Sequence, residues 1–107
     1  MPSPTDRRKW ARHPACPQTT CDLLIAGVLS FTALVVRGVS EGGAGLVVDV
    51  PVPIGEAITV QLHNPATRTF VHRPARVTHC LSGPGGGFAL GAAFGRELGY
   101  DDVAGLC

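Results

Sequence analysis

Glu56-Ala-Ile-Thr-Val-Gln-Leu-His63 alternates without a break: Ile58, Val60 and Leu62 fall on one side, Thr59, Gln61 and His63 on the other. A period of two in a run rich in β-branched residues marks a strand with one face buried. Asn64-Pro65 then signals a turn. Thr69 to His79 reads as the next strand, with Val71, Ala75, Val77 and His79 in one phase; Pro74 lacks a ladder donor and puts an edge or a bulge there. Leu81 to Gly87 reads as a Gly-rich hairpin loop. Phe88 to Phe94 alternates again, with Phe88, Leu90, Ala92 and Phe94 inward and Ala89, Gly91 and Ala93 outward. The last residues can form one short helix with Leu98, Val103 and Leu106 packing back, though Gly99 and Gly105 weaken it.

Upstream, Thr20 to Val36 is rich in Leu, Ile and Val and fits two strands joined near Gly27 to Ser30 better than one helix. A helix stays open as an alternative for Cys21 to Leu29 alone. Gly38-Val-Ser-Glu-Gly-Gly-Ala-Gly45 reads as a loop whose backbone can take positive φ and approach a ligand closely. Leu46 to Val50 is a short strand stopped by Pro51 and Pro53. The sum is a mainly all-β chain: a small six-stranded antiparallel β-barrel with a flexible N-terminal arm and a short C-terminal helix. The expected division is 1–19 for the basic arm and 20–107 for the barrel with its helix.

Composition agrees with this reading. The 107 residues suffice for one core and are too few for two. Fourteen Gly and nine Pro oppose a helical bundle, where each interior Gly costs about 1 and each Pro about 3 kcal/mol. One Trp and one Tyr oppose an aromatic platform for single-stranded nucleic acid. The net charge of +1 hides an asymmetry, because Arg7, Arg8, Lys9 and Arg12 cluster near the N-terminus. Such a cluster suits an anion clamp better than a general polyanion surface. No stretch reaches the roughly 20 apolar residues a membrane helix needs, and the N-terminus is a poor secretory signal, so the expected location is the cytoplasm. There Cys16, Cys21, Cys80 and Cys107 are expected to be reduced structural thiols: the Cys16-x4-Cys21 spacing is looser than a zinc knuckle, and adjacent His79 and Cys80 would point to opposite strand faces. No metal and no cofactor are expected.

Enzyme signatures fail one by one. Gly38-Val-Ser40-Glu-Gly42 matches a nucleophile elbow by letters, but the residues after it lead into a β-type run and leave no place for the helix an elbow needs. A P-loop, a dinucleotide fingerprint and a His-Glu-x-x-His pair are missing. Two local features remain. Arg8 and Arg12 lie four apart on the arm, and guanidinium forks grip phosphate oxygens and guanine edges. The Ser40 loop, ending at Gly43, offers a hydroxyl and several backbone N–H groups. Together they describe a clamp for a compact phosphorylated purine.

Arg8-x3-Arg12, followed by Val39-Ser40-x2-Gly43 and then Ala44-Gly45-Leu46, resembles the PilZ domain, a bacterial receptor module for cyclic di-GMP. The resemblance spans nearly the whole chain, including Pro53 to Glu56, Ala75-Arg76-Val77 and Leu90-Gly-Ala-Ala-Phe94. It implies that Arg8 and Arg12 engage the guanine and phosphate groups of the dinucleotide, an intercalated dimer being one form of the ligand, while Arg7 adds charge. It further implies that Ser40 hydrogen-bonds the ligand and that Gly43 permits the tight loop. The family's loop begins with Asp or Asn, where this chain has Gly38, so an acceptor for a guanine N–H is lost; an unpartnered donor costs about 1–3 kcal/mol, and restoring Asp is expected to tighten binding. The implied mechanism is an arm ordered by ligand, changing a surface that an effector protein reads, with no nucleic acid polymer and no membrane as partner. The alternative is a degenerate PilZ domain that binds no nucleotide and serves as a protein-interaction module. A third reading, a small barrel for RNA or DNA, is opposed by the few aromatics and the modest charge.

Overall fold

The alternating stretch becomes an interior strand of a curled antiparallel sheet. The computed structural model describes residues 12–26, 29–83 and 85–107. They form β1 (His13–Pro14), β2 (Thr20–Ile25), β3 (Leu29–Thr32), β4 (Val35–Val39), β5 (Gly43–Val48), β6 (Ala57–Asn64), β7 (Thr69–Ser82), β8 (Phe88–Phe94) and α1 (Tyr100–Leu106). The strand order is β1-β4-β5-β8-β7-β6-β2-β3, antiparallel throughout. The sheet curls into a half-barrel whose two ends are tied by the link between β3 and β4. There the Ala33 amide donates to the Cys21 carbonyl at 2.8 Å and the Leu34 amide to the Val47 carbonyl at 2.8 Å. Six longer strands make the barrel wall; the sheet has eight because the short β1 and β3 extend its edges.

The inner face is filled by Leu23, Val39, Leu46, Val48, Val60, Leu62, Val77 and Leu90, each almost fully buried. The phase read for β6 and β8 puts Val60, Leu62 and Leu90 there. Leu98, Val103 and Leu106 close one end of this core. The last helical carbonyls, which have no partner within the helix, are satisfied by side chains from the end of β6, the turn after it and the residue before β2. Gly105 O accepts from Asn64 Nδ2 at 2.9 Å and from Thr67 Oγ1 at 2.6 Å, and Leu106 O accepts from Thr19 Oγ1 at 2.8 Å. Among the described residues, no helix is long and apolar enough to cross a membrane. The four cysteines are free, and burial pushes the Cys21 thiol up to about 12.

Three local expectations need correction. Gly38 to Gly45 is not an open loop: it is the end of β4, a tight turn at residues 40–42 and the start of β5, and none of its glycines has positive φ. Glycine contributes nothing to the two-residue alternation, so the sequence pattern could not show these strands. Pro74 lies inside the ladder between β6 and β7, opposite Thr59, with no register shift. It is tolerated because its carbonyl, and hence its missing N–H, faces the side where β8 has already ended; Pro74 O accepts there from Gly95 N at 2.8 Å. The bulge in β7 falls instead between Val77 and His79. It turns His79 out of the inward phase of Val71, Ala75 and Val77, leaving it exposed.

Candidate functional site

Three glycines stand side by side across the outer face of the sheet. Gly38 on β4 pairs with Gly45 on β5, and Gly45 pairs with Gly91 on β8. Directly paired residues share a face, and at a strand spacing of about 4.8 Å they lay down a strip roughly 10 Å long with no side chain of its own. The row continues to Pro14 of β1 at one end and His79 of β7 at the other. Glycine inside a strand weakens it and marks close approach by a ligand or another group.

Two side chains lean over this floor from opposite ends. Arg12 lies across Gly38 and Gly45: a Cβ at Gly38 would sit 2.9 Å from Arg12 Cγ, and one at Gly45 would sit 2.8 Å from its Nη1. His79 leans on Gly91, where a Cβ would come to 2.5 Å from the imidazole Nδ1 and closer still to Cε1. Both cradled groups depend on the glycines beneath them. β1 aims Arg12, because His13 pairs with Val39 and Pro14 with Gly38. Arg37 comes from the register shift between Val36 and Gly38 in β4, so a bulge flanks each side of the trough.

Arg12, Arg37, His13 and His79 line an open cleft of about 340 Å³ above this floor, and no Asp or Glu lines it among the described residues. Cationic forks over a bare backbone suit a flat anion with phosphodiester groups. A second groove, lined by Pro51 to Ile54, Cys80, Ser82 and Phe88, has no charged wall among the described residues and offers an anion nothing.

The residues singled out from the sequence fall into three groups. Arg7 and Arg8 lie outside the described residues. Arg12 and Gly38 meet at the trough. Ser40 and Gly43 sit at the turn beside it and do not line the cleft. The Ser40 side chain is buried and committed to its own turn: its Oγ accepts from Gly43 N at 3.1 Å and lies 3.3 Å from Gly43 O, which also accepts from Ser40 N at 2.8 Å. Gly43 is required by close packing of strands, since a Cβ there would overlap the carbonyl oxygen of Ala92 on β8. Sequence reasoning did not find Arg37, Gly45, His79 or Gly91. Gly91 was visible as an outward glycine of β8, but the pairing that sets it beside Gly45, and the two bulges that bring Arg37 and His79 to the same row, were not.

The profile of the family described as "PilZ domain" matches residues 6–104. No curated protein matches the chain. Among solved structures, YcgR of Escherichia coli in complex with c-di-GMP superposes with a TM-score of 0.69 at 18% identity, over 82% of this chain and 38% of that one. The Bacillus subtilis inhibitor of motility MotI/DgrA gives 0.71 at 17% identity, over 94% and 47%. The K. pneumonia MrkH–c-di-GMP complex gives 0.73 at 12% identity, over 95% and 50%. At these identities the likeness is one of fold, and this chain spans half or less of each of those proteins.

Proposed function

Because the chain belongs to the PilZ domain family, we propose that it is a receptor for cyclic di-GMP that holds the dinucleotide on the trough of Gly38, Gly45 and Gly91. The observation that carries this reading is the seat of Arg12, the second arginine of the Arg8-x3-Arg12 motif, directly over two of those glycines. Its guanidinium and that of Arg37 stand ready for phosphate oxygens or a guanine Hoogsteen edge. In this reading Arg8 and Arg7, which precede Arg12 in the chain, add cationic contacts to the ligand. The turn at Ser40 holds β4 against β5 and thereby keeps Gly38 and Gly45 in line. Ordering the arm consumes part of the binding energy, and a partner protein reads the liganded surface.

One observation favours a second reading, a protein-interaction module without nucleotide. Gly38 supplies no acceptor, and no carboxylate lines the cleft among the described residues. Calorimetric titration with cyclic di-GMP separates the two. The receptor reading predicts saturable binding by the wild type and a tenfold to hundredfold loss in Arg12→Ala, the worth of about 1.5–3 kcal/mol of charge-assisted hydrogen bonding. Arg8→Ala/Arg12→Ala should lose more. Equal heats for wild type and double variant end the receptor reading, and a silent wild type transfers the case to the second.

A further inference from the structure

We infer that His79 is a ligand-binding residue of this trough, its imidazole stacking on a purine ring of the bound nucleotide. The inference rests on the receptor reading above and goes beyond the arginine motif and the Ser40 turn.

Three separate features converge on one ring. The bulge after Val77 takes His79 out of the core phase and turns it to the outer face. Gly91, directly opposite on β8, has no side chain, and its absence leaves the space that the Nδ1–Cε1–Nε2 side of the ring fills. The ring remains exposed and lines the cleft that also holds Arg12 and Arg37. A histidine placed for packing would face the core, where Leu90 and Val77 already exclude water. A solvated surface histidine would need neither a bulge nor a bare glycine beneath it. Thr78 Oγ1 lies 3.5 Å from Nδ1, a weak contact that leaves the ring's direction to the Gly91 seat. With arginines gripping phosphates at one end of the strip, the aromatic face at the other end is the group left to meet a base.

The test is a set of cyclic di-GMP titrations of the full chain, with melting curves as the folding control. His79→Ala should weaken binding about tenfold, in the range of one base–aromatic stack, with little change in melting temperature because the side chain is exposed. His79→Phe, which keeps a flat ring, should stay within about threefold of wild type, whereas His79→Gln should behave like alanine. Gly91→Ala puts a methyl group into the ring's seat, where the three nearest atoms all belong to His79. It should weaken binding as His79→Ala does, and the double variant should be no worse than either single one, the signature of coupled residues. Wild-type affinity in His79→Ala, or additive losses in the double variant, overturns the inference while leaving the receptor reading intact. Loss in His79→Phe with retention in His79→Gln overturns stacking. A wild type that binds no cyclic di-GMP removes both.

Discussion

Gly43 and Gly45 stand two residues apart on the same face of β5, yet alanine should do opposite things at the two positions. At Gly43 the new methyl group would overlap the Ala92 carbonyl, a backbone atom fixed in the ladder to β8. Relief requires β5 and β8 to part at the turn, where Phe94 N donates to Gly42 O at 2.8 Å and Gly43 N to Ser40 Oγ at 3.1 Å. Losing those two bonds at about 1 kcal/mol each, with overpacking strain of about 1–3 kcal/mol, gives a destabilisation of about 3–5 kcal/mol. For a domain of this size that lowers the melting temperature by about 15 °C or more. At Gly45 the methyl group meets only the tip of Arg12 (Nη1 at 2.8 Å, Cζ at 3.8 Å), a flexible group that can swing away. Stability should hold or rise by about 0.5 kcal/mol, since glycine is the poorer strand residue, while cyclic di-GMP affinity drops as Arg12 loses its seat. Urea denaturation and thermal melts of both variants, paired with calorimetric titration of Gly45→Ala, provide the comparison. If Gly43→Ala unfolds within about 1 kcal/mol of wild type, or if the two variants melt alike, the packing argument is wrong.

Three further outcomes follow from other parts of the structure. Gly38→Asp should not tighten cyclic di-GMP binding by the tenfold to hundredfold that a restored acceptor alone would supply, because its Cβ would take the place of the Arg12 stem, 2.9 Å from Cγ; a gain of that size in a titration would show that Gly38 is not that seat. Asn64→Ala should cost about 2–3 kcal/mol in urea denaturation, because the buried amide donates to Gly105 O at 2.9 Å and accepts from Ala66 N at 3.1 Å, and its loss leaves Ala66 N without that acceptor and Gly105 O with only the Thr67 hydroxyl. The Cys21 thiol, raised by burial from 9.0 to about 12, is neutral in the folded protein. Its contribution is therefore complete below pH 9 and fades as the pH rises towards 12, at up to about 1.4 kcal/mol per pH unit; stability measured from pH 8 to 11 should fall less steeply in Cys21→Ala than in wild type.

Much of the fold was legible because its longest strands carry their own labels. β6 and β8 announce themselves by alternation, and Val103 and Leu106, three apart, mark the buried side of the closing helix, with Leu98 packing just ahead of it. The strands on either side of the Ser40 turn were hidden because glycine leaves no mark in a hydrophobic pattern, and a Gly-rich stretch reads as a loop even where it packs as a ladder. The site was harder still. Arg12 could be named from its spacing to Arg8, and Gly38 from the family resemblance, but the row of Gly38, Gly45, Gly91 and His79 exists only in the register between four strands. That register depends on two bulges, at Val36/Gly38 and Val77/His79, each of which shifts the pairing by one residue. Nothing local in the sequence fixes where such a shift falls; Pro74 was the residue that pointed to one, and the bulge lies further along the strand.

The amide spectrum of the isotope-labelled chain, followed during addition of cyclic di-GMP, puts the question to the trough itself. The account predicts saturable shifts concentrated at Gly38, Gly45, Gly91 and His79, with the groove around Ile54 and Phe88 unmoved. Shifts centred on that groove, or none at any concentration of ligand, would contradict it.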